Sequence, residues 1–225
     1  MVDPVRIAVA GAGAMGSKHA DVIEGVAGTR LTALVDPAAH AGEQARVRRV
    51  AHFGTMGEMI AARVADAVVI ATPNRLHVEH GIECIAAGLP ILVEKPFATD
   101  AQSARILLEA AQAAGVEVLV GHHRRHNPLI QRAVSEITQG AIGQIVSFAG
   151  MTWFYKPDDY FDVEWRRREG AGPVYLNLIH DVDLMHCLCG PIDSVHALES
   201  RSVRGHEVEE TAVVSLRFTS GALGT

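Results

Sequence analysis

The first half of the chain alternates short, continuously apolar runs with segments of helical periodicity. The apolar runs cover residues 5–10, 31–35, 67–71, 91–93 and 116–120, and the helical segments cover residues 15–26, 38–47, 56–63, 76–87 and 101–114. A strand that is apolar along its whole length is buried on both faces, as in a parallel sheet covered by helices on both sides. We therefore predict an α/β fold whose N-terminal part is a doubly wound parallel sheet of the Rossmann type.

The pattern changes after Gly121. A helix is predicted over 128–138, a partly alternating strand over 144–153 and a second helix over 174–188, followed by strands over 192–201 and 208–218. This order predicts an α+β domain with an open, mainly antiparallel sheet. We divide the chain into a nucleotide-binding domain, 1–122, and a substrate-binding and oligomerisation domain, 123–225. A further strand begins at Ala222 and the sequence stops at Thr225, which suggests a sheet that is incomplete or completed by another chain.

Composition narrows the function classes. The 225 residues carry a formal net charge of −6 and no long basic stripe, which argues against a nucleic-acid partner. No apolar run reaches transmembrane length and no signal peptide is visible, so we expect no membrane partner. Three cysteines cannot all pair, and Cys187-x-Cys189 lacks the companions of a zinc site. We predict a cytoplasmic protein without a metal.

A glycine-rich turn follows the first apolar run. Gly11, Gly13 and Gly16 form the pattern G-x-G-x-x-G between a strand and a helix, with Ala14 and Met15 inside it. The first glycine allows a tight turn, the second allows close approach of a pyrophosphate, and the third allows close helix–strand packing. The free N–H groups of the helix N-terminus favour phosphate. The turn predicts a dinucleotide site.

Asp36 ends the second apolar run about 20 residues further on, where an acidic side chain binds the hydroxyls of the adenosine ribose. A carboxylate there repels a 2′-phosphate, and the residues that follow supply no arginine to offset it. NAD is therefore favoured over NADP. The alternative role for Asp36 is a helix cap before Ala38.

Two further strand ends carry polar residues. Thr72-Pro73-Asn74 follows the run over 67–71, and Glu94-Lys95-Pro96 follows the run over 91–93. Ligands bind at the carboxyl ends of parallel strands, so we place Thr72, Pro73, Asn74 and Glu94 at the cofactor and Lys95 at the reacting group. His77, one turn into the next helix, is a further candidate for ligand contact, with a surface histidine as the alternative.

These motifs, with Gly121-His122-His123-Arg124-Arg125 and Asn177-Leu178-Ile179-His180-Asp181-Val182-Asp183, occur in one order along the chain. In this it resembles the glucose–fructose oxidoreductase / inositol dehydrogenase / rhizopine catabolism protein family. The resemblance implies NAD(P)-dependent oxidation or reduction of a sugar, cyclitol or related polyol. It implies that Lys95 hydrogen-bonds the reacting oxygen and that His180 carries its proton.

Two departures from the family pattern stand out. Many members have an aspartate four residues before the catalytic histidine, and this chain has Leu176 there. Asn177 lies on a neighbouring helical face but cannot act as a base, so the catalytic pair reduces to Lys95 and His180. Asp183, three residues after His180, is a candidate to orient its imidazole, with a solvated helix charge as the alternative. The second departure is length, because family members usually continue for another hundred or so residues.

The remaining candidates concern the substrate and the quaternary structure. We consider Arg124, Trp165, Asn177 and Asp181 as substrate contacts. The alternatives are an ion pair with an acidic neighbour for Arg124, core packing for Trp165 and a solvated helix charge for Asp181. A homo-oligomer, dimer or tetramer, is expected if the C-terminal sheet is complete enough. Two other functions stay open: an NAD-dependent glycosidase on the same fold, and a non-catalytic regulator that senses a dinucleotide.

Overall fold

The computed structural model describes residues 3–225, and these form two compact units. The first unit ends at Gly121 and the second comprises His122–Thr225. The functional division that we placed between 122 and 123 stays a prediction.

Within residues 3–121, six parallel strands form one sheet in the order β3-β2-β1-β4-β5-β6. The strands are β1 (Val5–Ala10), β2 (Thr29–Val35), β3 (Ala51–Phe53), β4 (Ala67–Ile70), β5 (Ile91–Val93) and β6 (Val118–Val120). The helices between them are α1 (Ala14–Gly25), α2 (Ala39–Arg48), α3 (Met56–Ala62), α4 (His77–Ala86) and α5 (Ala101–Ala114). This confirms the predicted doubly wound parallel sheet.

The central strand β1 fixes the position of the site. Its residues Ala8, Val9 and Ala10 are fully buried, and apolar side chains cover the sheet on both faces. β1 lies between β2 and β4, so the direction of strand progression reverses there. At such a reversal the connecting loops leave in opposite directions, and a crevice opens beyond the carboxyl ends of the strands.

In the second unit a four-stranded sheet has the order β7-β10-β9-β8. Its elements are α6 (Pro128–Thr138), β7 (Ser147–Phe148), α7 (Pro173–Cys189), β8 (Ile192–Glu199), β9 (Ala212–Phe218) and β10 (Leu223–Gly224). The pairs β8–β9 and β9–β10 are antiparallel, and β10–β7 is parallel. The prediction of a mainly antiparallel sheet with helices is confirmed. Its core is built on Met185 of α7 and on Leu216 and Phe218 of β9.

Two details of the predicted elements were wrong. The strand expected over 144–153 is reduced to Ser147–Phe148, which pair with Leu223 and Gly224 of β10. Conversely, the three-residue strand β3 was not predicted. Its residues are at most partly buried, and its pairing with β2, not a marked apolar run, makes it a strand.

Candidate functional site

The glycine turn after β1 is packed against the end of β4. Gly11 has φ of +91°, and its N–H donates to Val35 O at 2.8 Å. A Cβ on Gly16 would lie 1.7 Å from Gly11 O, so only glycine allows α1 to start this close to the strand. A Cβ on Gly13 would meet no atom of the described chain within 4 Å. The backbone at Gly13 is therefore open to a ligand, as the motif requires.

Asp36 holds the same turn through its carboxylate. Oδ2 accepts a hydrogen bond from Ala12 N, and Oδ1 accepts one from Ala38 N, both at 2.8 Å. Gln44 Nε2 donates to the carbonyl of Ala12 at 3.1 Å, a contact that sequence reasoning missed. A carboxylate has about four lone-pair sites, so both oxygens of Asp36 keep capacity to accept ribose hydroxyls. Asp36 thus both shapes the turn and presents an acceptor.

The Thr72 loop (Thr72–Asn74) follows β4 and is held by two histidines of α4. His77 Nε2 lies 2.9 Å from Thr72 O, and its Nδ1 lies 2.9 Å from Pro96 O. His80 Nδ1 lies 3.3 Å from Thr72 Oγ1. His77 is only 1% exposed, which corrects the alternative of a surface histidine. Both of its ring nitrogens face protein carbonyls, so the structure gives the ligand contact that we predicted for His77 no support.

Glu94 and Lys95 follow β5. Glu94 Oε1 lies 2.8 Å from His19 Nε2 of α1, and Oε2 accepts the backbone N–H of Lys95 at 3.1 Å. Burial by itself raises the pKa of Glu94, but the hydrogen bond and charge of His19, with those of Lys95, outweigh it and leave the pKa lowered. Glu94 is therefore a buried carboxylate that connects α1 to the Lys95 backbone, a role not anticipated when we placed it at the cofactor.

In the second unit, the turn His123–His126 runs alongside α7. The rings of His123 and His180 meet edge to face, with centroids 5.1 Å apart. His180 is 8% exposed. Sequence reasoning did not single out His123, although its place in the run of histidines and arginines after β6 was a signal.

Ion pairs connect the same turn to α7. Arg124 Nη1 donates to Asp181 Oδ1 at 2.9 Å, and Thr152 Oγ1 donates to Asp181 Oδ2 at 2.7 Å. Arg125 donates from Nε and Nη2 to the buried carboxylate of Asp183, the latter at 2.6 Å. The first pair matches the alternative of an acidic neighbour that we gave for Arg124, whereas Asp181 is paired and is not the solvated helix charge given as its alternative.

The Arg125 pair gives the Asp183 carboxylate a partner other than the His180 imidazole, whose orientation by Asp183 stays a prediction. Asp183 lies on α7, where its two oxygens accept from Arg125, and His122 Nδ1 is 3.8 Å from Oδ2. The carboxylate therefore holds the turn that carries His123 and Arg124 against the helix that carries His180.

The other two predicted substrate contacts lie elsewhere in the second unit. The Asn177 side chain donates to Pro173 O within α7, so it caps a carbonyl of its own helix. Trp165 lies in the short turn Glu164–Arg167 and is 51% exposed, with the Arg166 guanidinium 5.6 Å from its ring. Asn177 lies on the same helix as His180 and Asp181, whereas Trp165 lies in a separate turn.

Two features are absent from residues 3–225. None of the helices there is long and apolar enough to cross a membrane. No group of three or more histidine, cysteine or acidic side chains in that range is arranged to hold a metal ion.

The parallel sheet, the glycine turn at its reversal point and Asp36 define a Rossmann nucleotide-binding protein with a second, α+β unit. Residues 5–122 match the model of the oxidoreductase family with an NAD-binding Rossmann fold, and residues 130–225 match the C-terminal domain model of the same GFO/IDH/MocA family. The chain belongs to this family, which confirms the resemblance identified from its motifs.

Individual relatives support the family assignment. The chain is 29% identical over 223 residues to a 4-carboxy-2-hydroxymuconate-6-semialdehyde dehydrogenase of Sphingobium, covering 98% of this chain and 70% of that protein. It is 33% identical over 157 residues to an inositol 2-dehydrogenase of Corynebacterium glutamicum, covering 67% of this chain and 46% of the relative. The WlbA dehydrogenase of Bordetella pertussis, solved with NADH and UDP-GlcNAcA, superposes on this chain with a TM-score of 0.90 at 30% identity. The superposed region covers 99% of this chain and 66% of the WlbA chain. The chain thus spans roughly half to two thirds of the length of such relatives.

Proposed function

We propose that this protein transfers a hydride between NAD and a hydroxyl-bearing carbon of a sugar, cyclitol or related polyol. The observation that carries the proposal is the position of Lys95. It follows β5, which pairs with β4, at the carboxyl edge of the sheet where the glycine turn and the Thr72 loop also lie. A lysine at this edge is within the part of a Rossmann fold where ligands bind.

The residues present fit NAD. Gly13 leaves its backbone open to a pyrophosphate, the first turn of α1 has free N–H groups for the phosphates, and Asp36 has acceptor capacity for ribose hydroxyls. The Asp36 carboxylate also disfavours a 2′-phosphate, which supports NAD over NADP. Bound NAD would supply the hydride acceptor, which no side chain can provide.

Lys95 and His180 would handle the reacting oxygen. Oxidation of an alcohol requires removal of the hydroxyl proton and stabilisation of the negative charge that develops on oxygen. The Lys95 ammonium would hydrogen-bond that oxygen and stabilise the charge. The His180 imidazole, beside His123, would accept the proton, because histidine titrates near neutral pH.

The first experiment is a panel of myo-inositol, levoglucosan and glucose, each with NAD and with NADP, followed by NADH absorbance at 340 nm. Lys95→Ala should lower kcat by about 10²–10³-fold, the usual effect of removing one donor to a developing oxyanion. It should leave NAD binding, measured by fluorescence titration, largely intact. Lys18→Ala, which removes the charge of an exposed lysine on α1, is the matched control. Near wild-type turnover in Lys95→Ala contradicts the proposal.

The same panel, extended by an aryl glycoside, separates the two alternatives. A glycosidase would cleave an aryl glycoside with catalytic NAD and no net NADH. A regulator would bind NAD without turnover on any substrate, and Lys95→Ala would then change nothing in the assay. An ordinary dehydrogenase would instead form one NADH for each alcohol that it oxidises.

Self-association is a further part of the proposal. Leu198 of β8 and Val213 of β9 are directly paired and each about two-thirds exposed, which supports a contact through this face of the sheet in a dimer or tetramer. Light scattering after size-exclusion chromatography measures the mass directly. The cytoplasmic location expected from the unpaired cysteines stays a prediction.

A further inference from the structure

Two sets of side chains hold the backbone around Lys95. One is His77 of α4, and the other is Glu94 with His19 of α1. Lys95 follows β5, and the Thr72 loop follows β4, its hydrogen-bonded neighbour. Beyond the paired residues Ile70 and Val93 the two strands end, so the two loops need other contacts to keep their separation. His77 supplies them on one side of Lys95, and Glu94 with His19 supplies them on the other.

His77 lies between the two loops at the first position of α4. Its Nδ1 is 2.9 Å from the carbonyl of Pro96, the residue after Lys95, and its Nε2 is 2.9 Å from the carbonyl of Thr72. Carbonyl oxygens only accept, whereas a neutral imidazole has one N–H and an imidazolium has two. The side chain is 1% exposed, so no solvent group replaces these contacts. At least one ring N–H therefore donates to a loop carbonyl, and the buried ring lies between the carbonyl beside Lys95 and the loop that we place along the cofactor.

Glu94 holds the other side of Lys95. Its Oε2 accepts the Lys95 N–H at 3.1 Å, and its Oε1 lies 2.8 Å from His19 Nε2 of α1, the helix that starts at the glycine turn. A Cβ on Gly121 would lie 3.1 Å from Glu94 Oε1, so the end of β6 packs closely on this carboxylate. The peptide N–H of Lys95 and the carbonyl of Pro96 are thus both fixed by buried side chains.

We propose that His77 is a positioning residue that, opposite the His19–Glu94 pair, fixes the Lys95 backbone relative to the Thr72 loop. This rests on the proposed role of Lys95 at the reacting oxygen. A reactive group must be held within a fraction of an ångström, and a misplacement of about 1 Å lowers the rate by about 10²-fold. His77 touches neither reacting atoms nor substrate in this assignment. It acts through the two loop carbonyls.

Three substitutions separate its two contacts. His77→Asn places an amide nitrogen at the same number of bonds from Cα as Nδ1, so it can keep the contact with Pro96 O. His77→Gln does the same for Nε2 and can keep the contact with Thr72 O. His77→Ala removes both. Leu107→Ala, in a fully buried position of α5, is the control for destabilisation of the same unit without loss of a loop contact.

Hydrogen–deuterium exchange is the readout that does not depend on turnover. We expect segments 71–76 and 93–98 both to exchange faster in His77→Ala. In His77→Asn only 71–76 should do so, and in His77→Gln only 93–98. In Leu107→Ala, exchange should rise across the first unit and not specifically in segments 71–76 and 93–98. Unchanged exchange of both segments in His77→Ala overturns the proposal, as does equal exchange in the Asn and Gln variants.

Turnover gives the second readout, with NAD and the polyol of the panel that is oxidised fastest. We expect kcat to fall by about 10²-fold in His77→Ala and His77→Gln. His77→Asn should recover most of this loss, while KM for the polyol changes less than kcat. If Lys95→Ala is inactive and His77→Ala keeps wild-type kcat, the positioning role is wrong and the proposed function stands. If Lys95→Ala is active, the proposed function fails, and the exchange pattern alone then decides whether His77 holds the two loops.

Discussion

In the glycine turn, one added methyl group should lower stability at one position and NAD affinity at another. A Cβ on Gly16 would lie 1.7 Å from Gly11 O, whereas a normal carbon–oxygen contact is about 3.3 Å, so α1 and the turn must separate by about 1.6 Å. Overpacking of this kind costs about 1–3 kcal/mol and sometimes more. Gly16→Ala should therefore lower the free energy of unfolding by at least that amount.

Gly13→Ala should leave the stability nearly unchanged and weaken the binding of NAD. Gly13 has φ of −73° and ψ of −169°, which alanine adopts freely, and its Cβ would meet no atom of the described chain within 4 Å. The loss of a glycine N-cap and the reduced entropy of the unfolded chain each amount to about 1 kcal/mol or less and oppose one another. The free energy of unfolding should change little. Overlap of the new methyl group with a bound pyrophosphate should cost about 1–3 kcal/mol, or about 5- to 150-fold in the Kd for NAD.

The assay is a pair of measurements on each variant: thermal unfolding by circular dichroism, and NAD titration by fluorescence. Gly57→Ala is the control, because a Cβ at this position in α3 also meets nothing among the described residues and Gly57 is far along the chain from the turn. It should bind NAD like the wild type. Wild-type NAD affinity in Gly13→Ala would refute the close approach of the cofactor to this backbone, and wild-type stability in Gly16→Ala would refute the packing argument.

Three further predictions concern charged groups. Asp36→Ala removes the acceptor of Ala12 N as well as the repulsion of a 2′-phosphate, so NAD affinity should fall by more than NADP affinity; an unchanged ratio of the two Kd values would exclude the ribose assignment. Asp183→Asn should lower the free energy of unfolding, measured in urea, by about 1–3 kcal/mol because Arg125 loses a charged acceptor. Glu43→Gln is the control: it weakens the exposed pair with Arg46 and should have almost no effect. Burial lowers the pKa of His77 below its ordinary value of 6.5, against the carbonyls of Pro96 and Thr72 and the charge of Glu94. The unfolded chain then binds the proton more readily, so stability should fall as pH drops from about 6.5 towards the folded pKa, and His77→Asn should reduce that slope in unfolding curves recorded between pH 7 and pH 5.

Much of the site could be predicted from local sequence. Gly11, Gly13 and Gly16 have roles that depend on the strand–turn–helix immediately around them, and strand order places Asp36 and Lys95 at the same edge once the sheet is known to be parallel. The order of motifs also indicated the family. Such features can be predicted from sequence because each requires a particular residue type at a short, fixed distance along the chain.

The partners of these residues required the tertiary structure. Glu94 and His19 are 75 positions apart, and Arg125 and Asp183 are 58 apart, so no local pattern joins them. His77 looked like a helix-surface histidine or a ligand contact, and its burial between two carbonyls depends on how α4 packs beside β5.

The sequence by itself therefore determined the fold class, the cofactor turn and the candidate catalytic lysine, because apolar periodicity and glycine geometry act locally. Only the tertiary structure decided what holds that lysine in place. A buried polar group must find its partner wherever the packed chain offers one. Beside Lys95, Glu94 contacts His19 of α1, and the carbonyl of Pro96 contacts His77 of α4.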